Sequence, residues 1–433
     1  MPIKFAADFA SLGDIADIQK MSWNTQSQYV QTRSDFYSRY YSGLTIETSL
    51  DQLKELPFTT KEMLRADQHE NAPFGSYLAA DNSQITRMHR TSGTTGTAMN
   101  LALTAQDALM TAEVGGRAQK AAGLSPEHRV VHCLNYQLWM GGYTDHASLE
   151  ATGAMVIPYG VGGTRGLINT IRELKIDAIS CTPSYPAVLE QVIESEFPGL
   201  QPKDLGLRLG LFGGEAGLDD PGFRKRLKQT WGFEVRNSNY GVTDILCNFA
   251  GQTTIDNDLY FVAMDVLYPE LVDPDSGALK PWKEGESGEL VLTHLCKQAQ
   301  PLVRFRTGDI IVLTGLGKAR CGRTAPRFRV IGRSDDMVVV RGINAFPTMV
   351  SSAINQLEGF SGEYRIVLNK APPYDHLPIE VEVAPEAGNT DALAVQLEQQ
   401  IKQQIGVTAR ITILPEGTLP RTEGKTRRVV RDY

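Results

Sequence analysis

No window of this chain approaches about eighteen consecutive apolar residues, so no segment has the polarity and length of a membrane-spanning helix. The first residues, MPIKFAADFASLGD, carry acids and lack the apolar core of a signal peptide, which sets the expectation of a soluble, cytoplasmic protein. Cysteine is scarce. Cys133, Cys181, Cys247, Cys296 and Cys321 are odd in number and lie far apart, which argues against a disulfide framework and suits a reducing compartment. Positive charge is in deficit as well: 43 Lys and Arg against 50 Asp and Glu leave a formal net charge of −7. Nucleic acid or an anionic membrane needs a basic face, so neither is an expected partner and small molecules fit better. There is no internal repeat and no low-complexity tract.

What is present is enough apolar content, 42% of 433 residues, to bury a large core in two or three domains. From about residue 150, GAMVIPYG, TRGLINTIREL, IDAISCTP and YPAVLEQVIE alternate strand-length apolar runs with helical periods, the mark of a parallel sheet covered by helices. LRLGLFGGEAG, a basic amphipathic helix around FRKRLKQTWG and a short strand before NYGVTD extend that pattern. From residue 285 the texture changes to short alternating strands, GELVLTHL, PLVRFRTGDIIVL and RFRVIGR, which read as antiparallel. After GRSDDM come MVVVRG, TMVSSAINQL, YRIVLNK, IEVEVA, DALAVQLEQQIKQQIG and ARITILP, a compact α+β unit. Leu393, Leu397, Ile401 and Ile405 fall at i, i+4, i+8 and i+12, one stripe that docks on a sheet, with Gly406 as the helix stop. The domain boundary is expected at Arg333 to Asp336, dividing the chain into residues 1–333 and 334–433.

Three glycine-bearing loops, HRTSGTTG, FGGEAG and NSNYGVTD, follow strands, and ligands of α/β sheets sit beyond such strand ends. In TSGTTG, hydroxyls and backbone N–H groups can ring a phosphate, although the hexapeptide alone reads more readily as an ordinary turn. It lacks the Gly-Lys-Ser/Thr of a P-loop. GVGGTRG likewise puts Arg165 where a dinucleotide fingerprint needs its third glycine.

Taken in order, TSGTTG, CTPSY, GGE, YGVTD, RFRTGD, GRSDD, RGINAFP and a terminal EGK resemble the phenylacetate:coenzyme A ligase family of the adenylate-forming superfamily. LPFTTKEMLR, YQLWMGG, YPELVDPDSG and GELVLTHL extend the resemblance over nearly the whole chain. It implies an acyl-CoA synthetase-like α/β fold: a large N-terminal domain of parallel-rich sheets with helices and a β-barrel-like part, then a small mobile α+β domain. It implies ATP, Mg²⁺ and coenzyme A, a small carboxylic acid as substrate, and a homodimer.

By the same resemblance, Ser92, Gly93, Thr94, Thr95 and Gly96 hold the β- and γ-phosphates. Gly213, Gly214 and Glu215 line the adenine, Tyr240 lies flat against it, and Asn239, Gly241 and Thr243 complete that nucleotide surface. Asp309 accepts from the ribose hydroxyls, a task for a group that only accepts, and Arg333 supports the same ribose. Asp244 ligates Mg²⁺, and Lys425 reaches from the small domain to the substrate carboxylate and α-phosphate. Asp335 matches the pivot about which the small domain turns, and Arg341, Gly342, Ile343 and Asn344 line the pantetheine path. Tyr136, Trp139, Gly141, Gly142, His146 and Phe212 form an acyl pocket suited to a flat acid such as phenylacetate or benzoate.

Three departures from the family stand out. Thr97 and Ala98 occupy the place of a common Lys-Pro after the phosphate loop, and Asp244 replaces a glutamate, one methylene shorter. ARCG, with Ala319, breaks the cysteine pattern of a structural zinc, so no zinc is expected; Cys247, Cys296, His294 and Cys321 are the remaining alternative set. These departures keep two other readings open: an adenylating enzyme that passes its acyl group to a carrier-protein thiol or an amine, and a nucleotide- or acyl-binding protein without catalysis.

Overall fold

Strand-length apolar runs between amphipathic helices assemble as their periods require. The structure is a computed structural model that describes residues 7–44, 49–91, 98–215, 217–420 and 427–433. Five strands run parallel in the spatial order Met155–Pro158, Arg129–His132, Ala178–Cys181, Leu209–Gly213 and Glu234–Val242. Their helices, Thr164–Leu174, Tyr185–Glu196 and Pro221–Trp231, bury Leu167, Ile168, Ile171, Leu189, Ile193, Leu227 and Trp231 against strand residues such as Val131, Ile179 and Phe212. Asp220 caps the last of these through its carboxylate and the Phe223 N–H, Pro221 starts it, and Gly232 ends it at positive φ.

The strand Glu234–Val242 is the seam of the molecule. On one side it pairs in parallel with Leu209–Gly213; on the other it pairs antiparallel with Leu246–Gly251. From there the order continues through Leu259–Phe261, Arg327–Arg333, Phe305–Gly315, Ser287–His294, Leu267–Val272 and Leu279–Lys280, all antiparallel. The β-barrel-like part expected from the sequence is therefore hydrogen-bonded into one twelve-strand order with the parallel strands. An N-terminal helix, Leu12–Arg33, packs Trp23 and Val30 into the core of that antiparallel half.

The last hundred residues carry their own four-stranded sheet, ordered Ala409–Leu414, Leu377–Val383, Phe360–Leu368 and Val429–Arg431, with helices Pro347–Asn355 and Thr390–Gln404. Leu397 and Ile401 are fully buried there, with Ile405 against the same core and Gly406 at φ +84°. The stripe docks as its spacing predicts.

At the seam, strand crowding sets one strict requirement. A β-carbon on Gly241 would lie 1.8 Å from the Cys247 carbonyl oxygen of the neighbouring strand. Gly241→Ala must push the two strands apart and is expected to destabilise the fold by about 3 kcal/mol, the upper end of overpacking costs; an unchanged thermal midpoint would show that the seam can open freely.

Candidate nucleotide and acyl site

The crevice is built on the ends of the strands Leu209–Gly213 and Glu234–Val242 and on the antiparallel strands that follow the seam. Gly213 lies against Asn239: a β-carbon there would sit 2.5 Å from Asn239 Cβ, so the missing side chain gives Asn239 its place. Gly214 is exposed at φ +83°, where a glycine is at home. The Glu215 carboxylate accepts from the Ser184 N–H at 3.2 Å, tying GGE to the CTPSY loop. Tyr240, Gly241 and Thr243 are partly exposed.

From the seam a polar chain crosses the crevice. The Tyr240 hydroxyl donates to Asp309 Oδ2 at 2.6 Å, and Arg333 Nη1 donates to Asp309 Oδ1 at 2.7 Å. Arg333 also donates through Nε and Nη2 to both Asp335 oxygens, at 2.8 and 3.1 Å. The Tyr240 ring meets Phe249 and Phe328 edge-on, which fixes its plane. Burial, and then the Asp309 charge, hold its phenol well above the ordinary value, so it remains a donor. Asp309, 4% exposed, thus accepts from a described donor on each oxygen.

Asp244 is buried behind the same strand end. Its Oδ2 receives Lys61 Nζ at 2.8 Å, while its Oδ1 is buried with no hydrogen-bond partner among the described residues. Lys61 stands in the first turn of the helix Lys61–Glu70, which is capped by Thr60. Ser92, Gly93, Thr94, Thr95 and Gly96, with Thr97, lie outside the described residues, as does Lys425. The flanks of the phosphate loop are described: Thr91 N–H donates to the Met99 carbonyl at 2.9 Å, and Met99 N–H donates back to Thr91 Oγ1 at 3.0 Å.

The acyl-pocket candidates divide into two groups. Tyr136, Trp139, Gly141, Gly142 and His146 surround the start of the helix Met140–Glu150, with Trp139 as its N-cap residue. Gly142 packs so closely on the Asn135 carbonyl that a β-carbon would come within 2.2 Å of its oxygen. His146 bonds Tyr136 Oη through Nδ1 at 2.9 Å, and its Nε2 lies 3.2 Å from Glu150. Phe212 stands apart: it is fully buried with Phe233 and Trp231, on the side of the sheet covered by helices.

In the C-terminal part, Arg341 and Gly342 both take positive φ and join the strands Val338–Val340 and Ile343–Ala345, the geometry of a tight two-residue hairpin turn. All four RGIN residues are exposed.

Several residues of the site escaped the sequence reading. His132 is completely buried; its Nε2 points to the Gly141 and Gly142 carbonyl oxygens at 3.0 and 3.1 Å, and its Nδ1 faces Ser180 Oγ at 3.1 Å. Nε2–H donating and Nδ1 accepting is the neutral tautomer that satisfies all three, and burial lowers its pKa to about 4. Asp145, one helical turn after Gly141, accepts from Cys247 Sγ at 2.9 Å and from the Asn239 amide. Only the i, i+4 spacing of Gly141 and Asp145 hinted at it. As for the alternative metal set, His294 has both nitrogens committed, Nε2 to the Ile245 carbonyl at 2.8 Å and Nδ1 to the Leu302 N–H at 2.9 Å. Among the described residues no cluster of three or more His, Cys, Asp or Glu is placed to hold a metal ion, and no helix is long and apolar enough to cross a membrane.

Comparison with known proteins places the chain among AMP-binding enzymes. The AMP-binding enzyme model matches residues 44–295, and the AMP-binding enzyme C-terminal domain model matches residues 342–432. A phenylacetate-coenzyme A ligase of Thermus thermophilus is 33% identical over 427 residues, 93% of each chain. One from Pseudomonas putida is 35% identical over 384 residues, 87% of this chain and 84% of its own. Among solved structures, 2-hydroxyisobutyryl-CoA ligase in its postadenylation state with 2-HIB-AMP superposes with a TM-score of 0.89 at 27% identity, covering 98% of this chain and 91% of its own. The same enzyme with 2-HIB-AMP and CoA in its thioesterification state gives 0.71 at 28% identity and the same coverage.

Asp145 makes the site sensitive to pH. Burial raises its carboxyl from 3.8 to about 7, and the Cys247 and Asn239 bonds offset only part of that. The sign follows from linkage: between about pH 4 and pH 7 the unfolded chain has released this proton while the fold retains it, so the group's contribution to stability falls as pH rises through that window. Asp145→Asn cannot ionise, so its thermal midpoint relative to the wild type is expected to rise from about pH 5 to about pH 8; a difference that stays flat would mean the carboxyl titrates normally.

Proposed function

This chain belongs to the phenylacetate-coenzyme A ligase family of AMP-binding enzymes, and from that membership we propose that its acid substrate is an aromatic carboxylate of the phenylacetate or benzoate kind. The reaction is that of an AMP-forming acid:coenzyme A ligase. A carboxylate oxygen bonds to the α-phosphorus of ATP as the bond to pyrophosphate breaks. The sulfur of coenzyme A then bonds to the acyl carbon, AMP leaves, and the thiol proton is released. The observation that carries this reading is the Tyr240–Asp309–Arg333 chain, which holds a buried acceptor carboxylate between the seam strand and the segment leading into the C-terminal sheet.

Asp309 takes the ribose hydroxyls, with Tyr240 and Arg333 donating to the same carboxylate and fixing its position. Gly213, Gly214, Glu215, Asn239, Gly241 and Thr243 form the adenine side, and Tyr240 presents its ring there while its hydroxyl orients Asp309. Ser92, Gly93, Thr94, Thr95 and Gly96 take the outer phosphates. The orphaned Oδ1 of Asp244, buried and without a partner among the described residues, fits a Mg²⁺ site. When bound, that ion neutralises phosphate charge; Lys61, already paired with Asp244, adds a cation from this chain. Lys425 brings a further positive charge to the two anions as they meet.

Tyr136 and Trp139 supply flat walls, which favours a planar acid; the names of the two phenylacetate ligases favour it too. The small domain changes place between the two halves about Asp335. The higher similarity to the postadenylation state than to the thioesterification state of 2-hydroxyisobutyryl-CoA ligase supports two such placements. In the second, Arg341 to Asn344 face the pantetheine arm of coenzyme A.

Exchange of labelled pyrophosphate into ATP isolates the first half-reaction. Aromatic acids are expected to support it, and Lys425→Ala to lower it by about 100-fold or more at an unaltered thermal midpoint. Undiminished exchange would remove Lys425 from the mechanism. Asp309→Ala is expected to raise the KM for ATP by at least about tenfold, because the variant loses the acceptor while Tyr240 and Arg333 remain; a normal KM would place the ribose elsewhere.

A further inference from the structure

One buried carboxyl, Asp145, has no part in the nucleotide reading above, although Asn239 of the adenine side donates to it. Asp145 projects from the acyl helix, is 2% exposed, and is gripped by two donors from the seam strands, the Asn239 carboxamide and the Cys247 thiol at 2.9 Å. Asn239 and Cys247 are themselves partly exposed. Among the described residues Asp145 pairs with no Lys, Arg or His, so this buried carboxyl is held by neutral donors alone. Such a group is costly to bury and keeps lone pairs for further donors.

Asp145 neighbours two of the acyl-pocket candidates. Gly141 lies on the same face of the helix one turn earlier, and the position of its missing β-carbon is 3.5 Å from Asp145 Oδ2 and 3.3 Å from the Trp139 ring. An aromatic ring and a carboxylate oxygen thus both close on Gly141, at the turn that His132 holds through the Gly141 and Gly142 carbonyls. A wholly apolar ring gains nothing from the oxygen there; a ring bearing a donor can satisfy it.

We propose that Asp145, supported by Asn239 and Cys247, is a specificity-determining subsite of the acyl pocket that selects aromatic acids carrying a hydrogen-bond-donating substituent, an amino or hydroxyl group. This rests on the ligase reading above. Burial that lifts the Asp145 carboxyl to about 7 agrees with it, since an amino or hydroxyl donor favours the ionised form that the empty fold disfavours.

The test is a matched panel in pyrophosphate exchange with the full-length enzyme: phenylacetate and benzoate with their methyl, hydroxy and amino derivatives. The wild type is expected to favour hydroxy or amino acids over their methyl counterparts by at least about 100-fold in kcat/KM, since a site built for a donor rejects analogues without one. Asp145→Leu is expected to bring that ratio below one, and Asp145→Asn, which keeps the shape, to lower it chiefly for amino acids of the panel. A wild type that prefers methyl or unsubstituted acids, or an Asp145→Leu enzyme with an unaltered ratio, overturns the subsite and leaves the ligase reading standing. Absence of exchange with every acid overturns the ligase reading, and the subsite with it. Should Asp145→Leu fail to fold, the wild-type ratio and Asp145→Asn decide the matter.

Discussion

The hydrogen-bonded chain from Tyr240 through Asp309 and Arg333 to Asp335 joins parts of the molecule that share no strand. Tyr240 belongs to the seam, Asp309 and Arg333 to paired antiparallel strands, and Asp335 to the segment leading into the C-terminal sheet. A buried carboxylate is tolerable only with donors on it, and a guanidinium shared by two carboxylates has little freedom to turn. The chain therefore fixes three things at once: an acceptor for a hydroxylated ligand, the plane of an aromatic ring, and the starting position of the small domain. Arg431 adds to the last of these by donating to the Asp335 carbonyl at 2.9 Å.

The seam explains why this chain sits where it does. A parallel sheet leaves its ligand crevice beyond the strand ends, and an antiparallel continuation lets the next strands fold back over that crevice. Gly213 and Gly241 are the two positions where the backbones approach too closely for a side chain, one making space for Asn239 and the other for the Cys247 carbonyl. Because the same strand carries Asn239, Tyr240 and Gly241, the acyl side and the nucleotide side of the crevice are held by one piece of backbone. His132 and Asp145 extend that unity to the acyl helix, one by neutral imidazole bonds to two carbonyls and the other by a carboxyl across to the seam.

Charge is arranged with the same economy. The chain is acidic overall, yet the crevice has Lys61 on Asp244 and Arg333 on Asp309, so each buried acid that faces the nucleotide side starts out neutralised. Asp145, on the acyl side, has no such cation among the described residues. That contrast separates two kinds of buried carboxyl, those paired with a cation and one held by neutral donors.

Local pattern alone determined much of this protein. Hydrophobic period marked the parallel strands and their helices, the change to antiparallel texture near residue 285, and the stripe Leu397–Ile401 of the last long helix, because periodicity reports which face of an element is buried regardless of what covers it. Ordered motifs brought Asp309, Arg333, Tyr240 and Asp244 forward as candidates. Tertiary structure alone decided the partnerships. Lys61 meets Asp244 across 183 residues of chain and Cys247 meets Asp145 across 102, pairings created by strand order and visible in no window of sequence. The same cause set the surroundings of Phe212, an aromatic at the right motif: on a strand successive side chains alternate faces, and its face is the one where Phe233 and Trp231 pack.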